Sequence, residues 1–211
     1  MRTCAGEEVR NLCKLADLKG MTVDGLMAKA GISPYAVPLD MDKLLKAWRI
    51  IASSTDMSDF EEIANKHGFE NGEIWGAVGA SRGNVILMFS DKISFPRARF
   101  TVAHELAHCC LHNDDLKDGY IYFRQGGVFQ PTFEEDANRF ARELLMPEES
   151  LRVVIDDISN ENPGITNDRL VDKLAMRYEV EAEEVEHRLK ALNYLKREGN
   201  DEEGDDADDG S

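Results

Sequence analysis

Two histidines four residues apart, with a glutamate directly after the first, stand at His104-Glu105-Leu106-Ala107-His108. These are the residue types needed to bind a metal ion and hydrolyse an amide. On a helix both imidazoles lie on one face, about one turn and roughly 6 Å of rise apart, which suits a single shared ion. Glu105 falls one step round the helix, where a carboxylate can serve a water on the metal rather than the metal itself. This is the H-E-x-x-H spacing of hydrolytic zinc helices. Three of the five histidines fall within nine residues, and that concentration favours a metal over separate structural histidines.

A catalytic zinc wants three protein ligands and an open position. His112 is the nearest candidate, but eight residues beyond His104 on one helix is roughly 12 Å of rise, too far for one ion to take all three rings. It is better placed to support a ligand's other ring nitrogen or to lie at the surface. Cys109-Cys110-Leu111 contains no glycine turn leading to a later histidine. Downstream, Glu134-Glu135-Asp136-Ala137-Asn138 offers carboxylates. Glu134 and Asn138 are one turn apart and share a face, so the first could ligate while the second orients a motif histidine through a hydrogen bond. Glu134 is the favoured third ligand and Asp136 the alternative. These acids also suit a helix amino end through its dipole.

The elements that must hold these groups can be read around them. Ser94 can cap the motif helix, Pro96 falls in its first turn, and Asn113 is a plausible stop. Thr132 can cap a second helix running from Phe133 to Met146, with Phe140, Leu144 and Leu145 on its packing side and Pro147 at its end. Before the motif, Glu73 to Ala80 and Asn84 to Phe89 read as two strands joined through Ser81-Arg82-Gly83. Tyr120 to Phe123 suggests a third strand, and an exposed strand near the metal could accept an extended peptide by backbone pairing.

Further out, residues 6 to 18 read as a helix, Thr22 caps another that ends near Gly31, and Ser33-Pro34 and Val37-Pro38 make a linker. A third helix is expected from Leu39-Asp40 through about Ala52, with Leu44, Leu45, Trp48 and Ile51 as its core side, and a short one over Asp59 to Lys66. Two amphipathic helices close the folded part, one lined by Leu170, Leu174 and Met176, the other by Val185, Leu189, Leu192 and Leu195. The last pair has the cadence of a helix-turn-helix. Glu181, Glu183, Glu184 and Glu186 would repel phosphate there, so packing on the core is the expectation. Gly20 to Ser33 resembles the early helices of repressor-type DNA-binding domains, but Pro34 and Pro38 interrupt where a recognition helix would follow.

Arg99-Phe100-Thr101-Val102-Ala103-His104-Glu105-Leu106-Ala107-His108, followed by Glu134-Glu135-Asp136-Ala137-Asn138-Arg139-Phe140-Ala141-Arg142-Glu143-Leu144-Leu145-Met146-Pro147, resembles the ImmA/IrrE family of metallopeptidases. The likeness spans roughly residues 38 to 195. It implies an α+β, mostly helical, zincin-like core with a small antiparallel sheet before the H-E-x-x-H helix. It implies one zinc ion held by His104, His108 and Glu134, with Glu105 as catalytic base. It further implies an endopeptidase whose substrate is a helix-turn-helix transcriptional repressor of a mobile element or stress regulon. Ala107 stands where the family often has glycine.

The chain organises as an N-terminal helical arm (residues 1–37), a metallopeptidase domain (38–198, with a helical subdomain from about 165) and an acidic tail (199–211) expected to be disordered. Net charge is −16, but the tail holds seven acidic residues and no basic one, which leaves the body near −9. An acidic body disfavours direct nucleic-acid binding. No stretch is long enough to span a membrane and no apolar leader opens the sequence, so a cytoplasmic enzyme is expected. Cys4, Cys13, Cys109 and Cys110 make no disulfide framework. The competing function is a regulator, non-catalytic or DNA-binding, that inactivates a repressor by stoichiometric binding.

Overall fold

The computed structural model describes residues 12–58, 62, 74–117, 121–123 and 131–195. The described helices are α1 (Leu15–Leu18), α2 (Val23–Ala30), α3 (Met41–Trp48), α4 (Phe95–Leu111), α5 (Pro131–Leu145), α6 (Glu148–Glu161), α7 (Asn167–Tyr178) and α8 (Ala182–Ala191). Four strands, β1 (Ile51–Thr55), β2 (Gly76–Ser81), β3 (Asn84–Ser90) and β4 (Ile121–Phe123), form one sheet in the order β1-β3-β2-β4. The fold is α+β, as the sequence implies.

The β2–β3 hairpin forms as expected. Arg82 and Gly83 at its tip have φ of 51° and 73°, the left-handed pair that matches a tight turn to strand twist. The sheet is mixed rather than wholly antiparallel, because β1 pairs parallel with β3, Ile51 opposite Ile86 through Thr55 opposite Ser90. That strand replaces the last turn of the helix expected through Ala52. Arg49 takes φ 55°, and the Ile50 amide closes back on the Leu45 carbonyl at 2.9 Å, which ends α3. The Ile-Ile-Ala-Ser-Ser-Thr run beyond it is rich in β-formers. Ile51 is accordingly 41% exposed instead of lying in the core.

The helix expected over residues 6–18 is helical only from Leu15, and residues 1–11 lie outside the described part. Cys13 is extended, its amide bonded to the Arg49 carbonyl and its carbonyl to the Val85 amide, both at 3.0 Å. Sheet-like pairing with the start of β3 outcompetes a local helix there. The helix α2 follows its signals, with Thr22 Oγ1 accepting from Gly25 N and Gly31 left-handed at the end. The indole of Trp48 donates to the Leu26 carbonyl at 3.0 Å and fixes α3 on α2.

Thr132 lies inside α5, which already begins at Pro131. Pro147 follows the end of α5, as expected, and separates it from a further helix. It sits at the N-cap of α6, a helix unforeseen in the sequence although Leu151, Val154 and Ile158 carry its buried spacing. In α7 Met176 is 81% exposed, and Tyr178, fully buried, takes the packing role with Leu170, Val171 and Leu174. The helix α8 packs on α5, where Arg142 Nε meets Glu184 Oε2 at 2.7 Å and Arg188 Nε reaches the Met146 carbonyl. The Asp59 to Lys66 helix (apart from Glu62), Cys4 and the acidic tail fall outside the described residues. Among the described residues no helix is long and apolar enough to cross a membrane.

Every residue of α4 from Arg99 to Cys110 is buried, because β2 and β3 cover one side and α5 another. A helix enclosed all round is the rigid centre of a fold, and this one carries the chemistry-bearing histidines.

Candidate metal centre

The helix α4 is closed at both ends by its own side chains. Ser94 Oγ accepts from the Arg97 amide at 3.3 Å, and Pro96 fills the first turn without wasting a donor. Arg97 Nε bonds Glu181 Oε1 at 3.1 Å, which ties this end to the start of α8. At the other end Asn113 Nδ2 donates to the Cys109 carbonyl at 2.8 Å and to the Leu15 carbonyl at 2.6 Å.

On that helix His104 Nε2 and His108 Nε2 stand 3.0 Å apart. Glu134, from the first turn of α5, brings Oε2 to 3.2 Å from His104 Nε2 and Oε1 to 3.4 Å from His108 Nε2. A tetrahedral zinc with bonds of about 2.0–2.1 Å separates its donors by about 3.3–3.4 Å. The separation of the ring nitrogens and the distances to the two carboxylate oxygens, one from each ring, lie within a few tenths of an ångström of that spacing. The proton positions agree as well. His104 Nδ1 meets Asn138 Oδ1 at 2.9 Å, and an amide oxygen only accepts, so Nδ1 carries the hydrogen and Nε2 presents its lone pair. Two ring lone pairs and a carboxylate crowded together repel one another unless a cation lies among them. The donor set therefore fits a divalent metal, and it is the one such group found among the described residues.

Both rings are 1% exposed, whereas the Glu134 side chain is 22% exposed, so the cluster opens toward α5. Burial pushes the Glu134 carboxyl upward, but when His104 and His108 carry protons in place of a metal, their hydrogen bonds and charge outweigh that and hold it well below the usual carboxylate range. Asp136, the alternative ligand, turns away and pairs with Arg139 at 2.7 Å. Glu134, Asn138, Arg142 and His187 line one cavity of about 420 Å³ beside the cluster.

Glu105 is 2% exposed and packs under the sheet at Gly76. A Cβ on Gly76 would collide with the Thr101 methyl and come within 2.7 Å of Glu105 Oε1. A side chain on β2 must therefore displace the glutamate or the strand. We expect Gly76→Ala to cost about 1–3 kcal/mol of stability, as overpacking does, and to move Glu105. Thermal unfolding compared with the parent checks this; an unchanged midpoint would mean that β2 yields freely. The sequence marks Gly76 only as one glycine in a strand, where close approach of another element is the usual reason for it.

A hydrolytic intermediate also needs a donor for its oxyanion, and Tyr120, Tyr122, Tyr178, Arg139 and His187 are the residue types in the sequence that could supply one. Tyr120 is outside the described part and Tyr122 is placed only by its backbone in β4. Tyr178 is spent on Ser150 Oγ at 3.0 Å in the core, and Arg139 is engaged with Asp136. His187 is the one that borders the cavity. Cys109 and Cys110 are buried free thiols. Burial pushes Cys110 up to about 12 and Cys109 well above its ordinary value, so neither offers a thiolate to a metal. His112 lies against His108, Nδ1 to Nδ1 at 2.9 Å, on the side of that ring away from the cluster. Phe133, stacked on His112 at 4.3 Å between centroids, was not legible as part of the site.

No curated protein matches the chain. The family model Peptidase_M78, the IrrE N-terminal-like domain, matches residues 64–190, which include both histidines, Glu105, Glu134 and Asn138. That match covers more than half of the chain and agrees with a metal-ready donor set assembled from two helices: the protein belongs to the IrrE N-terminal-like family of metallopeptidases.

Proposed function

We propose that the protein is a zinc-dependent endopeptidase that cuts a helix-turn-helix transcriptional repressor at a specific site. The observation that carries the peptidase reading is the convergence of His104 Nε2, His108 Nε2 and the Glu134 carboxylate from two helices. The repressor as substrate rests on the family resemblance. Zinc bound by these three residues supplies an acidified water and a Lewis-acidic centre for the substrate carbonyl.

The chain's own groups do the rest. Asn138 holds His104 in the tautomer that presents Nε2. Glu105 takes the proton of the attacking water on its carboxylate and passes it to the leaving amine. The sheet guides the substrate. Among the described residues its order ends at β4, whose Phe123 lies opposite Ala77, one residue from the Gly76 that touches Glu105. An extended peptide that adds to the outer side of β4 by backbone hydrogen bonds runs past the catalytic groups.

The test is incubation of the purified full chain with a candidate helix-turn-helix repressor, with and without a chelator. Discrete fragments that disappear on chelation are expected. An intact repressor held in a stable complex under both conditions would instead indicate stoichiometric inactivation.

A further inference from the structure

We infer that His112 is a positioning residue that couples the two helices of the metal centre, fixing the tautomer of His108 through one ring edge and gripping the residue beside Glu134 with its face. This rests on the metal-peptidase reading above and goes beyond it, because His112 contributes no donor to the cluster.

The geometry gives His112 two distinct contacts. It ends α4 and is only 6% exposed, and its backbone amide closes on the His108 carbonyl at 2.9 Å. Its Nδ1 lies 2.9 Å from His108 Nδ1. Two ring nitrogens at that distance share one hydrogen. His108 must keep Nε2 free of a proton to ligate, so its neutral ring carries the hydrogen on Nδ1 and donates it to His112. The proton of His112 is then on its own Nε2. The face of the same ring stacks on Phe133, with centroids 4.3 Å apart and planes 12° from parallel. Phe133 precedes Glu134 in the first turn of α5.

The two imidazoles of the cluster are thus oriented by opposite routes. His104 on α4 is held by Asn138, which reaches across from α5. His108 is held from its own helix by His112, which in turn reaches across to α5 through its ring. Both supports cross the gap that separates the histidines from Glu134, so the spacing of the donors depends on them. An aromatic stack of this kind contributes of the order of 0.5–1.5 kcal/mol to such a seam, enough to resist small shifts of the first turn of α5.

Two substitutions separate the contacts. His112→Phe keeps a flat ring for Phe133 and removes the acceptor; His112→Gln keeps an acceptor and removes the ring. The readout is zinc affinity of the full chain, measured by competition with a chromophoric chelator, beside thermal unfolding of the metal-free protein. His112→Phe should weaken zinc binding about 10- to 100-fold, the usual loss when a ligand histidine's partner is removed, with little change in unfolding. His112→Gln should recover most of that loss yet unfold at lower temperature. Equal zinc affinity in parent and His112→Phe, or equal weakening by both variants, would overturn the inference while leaving the metal centre intact. A parent chain that binds no zinc would defeat both. Long-range proton–nitrogen NMR of the zinc-loaded parent needs no variant: it should show His108 protonated at Nδ1 and His112 at Nε2, and the reverse assignment would also overturn it.

Discussion

Glu134→Ala is expected to release the metal, whereas Asp136→Asn should leave binding unchanged. Structural zinc sites with four ligands bind with about 10–16 kcal/mol, so one ligand is worth about 3 kcal/mol and its loss about a hundredfold or more in affinity. The loss at Glu134 should reach that size, because its two oxygens stand 3.2 and 3.4 Å from the two ring nitrogens and no other described carboxylate joins the group. Without it, the two imidazoles 3.0 Å apart can relieve their repulsion by taking up a proton, and a proton there competes directly with zinc. Folding should change little. Glu134 lies in the first turn of α5, where a carboxylate gains only about 0.3–1 kcal/mol from the helix dipole. Asp136 lies in the next turn and is committed to Arg139 at 2.7 Å. The check is the ratio of zinc to protein after passage over a chelating resin, with far-ultraviolet circular dichroism as the control for folding. Stoichiometric zinc in Glu134→Ala, or its loss in Asp136→Asn, would assign the third ligand wrongly.

How far such a site can be read without coordinates depends on how local its geometry is. His104 with His108, and Glu134 with Asn138, are pairs one turn apart on single helices, so their shared faces follow from helical periodicity alone. The caps at Ser94 and Asn113 are local too, and both bond as their types suggest. What periodicity cannot supply is which strand lies beside which. The parallel pairing of Ile51 with Ile86, and the bridge between Lys14 and Asn84, join segments far apart in the chain, and each displaced an expected stretch of helix. The same limit applies inside the site. Helical rise sets His112 apart from the His104–His108–Glu134 cluster, yet nothing in its spacing says that its ring will meet Phe133 from α5. Gly76 is similar, since its need for a bare Cα comes from Glu105 and Thr101 on another element. Pro147 marks the end of α5 as expected, but the helix beyond it was missed for a different reason. Proline favours the start of a helix as much as it breaks one, and here it does both in succession.

Glu105→Gln should abolish cleavage and leave the metal in place. The substitution preserves shape, so the side chain still fits beneath Gly76 and the 2% exposed site keeps its packing. It removes the one property the proposed reaction asks of this residue, a carboxylate that can accept a proton from water and return it to the amine. A positioned general base of this kind contributes typically about 10²–10⁴ in rate, which corresponds to about 3–5.5 kcal/mol of barrier. Zinc affinity should move by no more than a few-fold, because the candidate donor cluster consists of His104, His108 and Glu134, and Glu105 is not part of it. The two readouts together separate explanations that either one alone would confuse. Lost cleavage with lost zinc would mean that Glu105 holds the site together. Lost cleavage with zinc retained, and with the repressor still bound, would place it in the chemical step. Undiminished cutting by the glutamine variant would mean that the proton leaves by another route, and His187, which borders the cavity shared with Glu134 and Asn138, would be the first group to replace next.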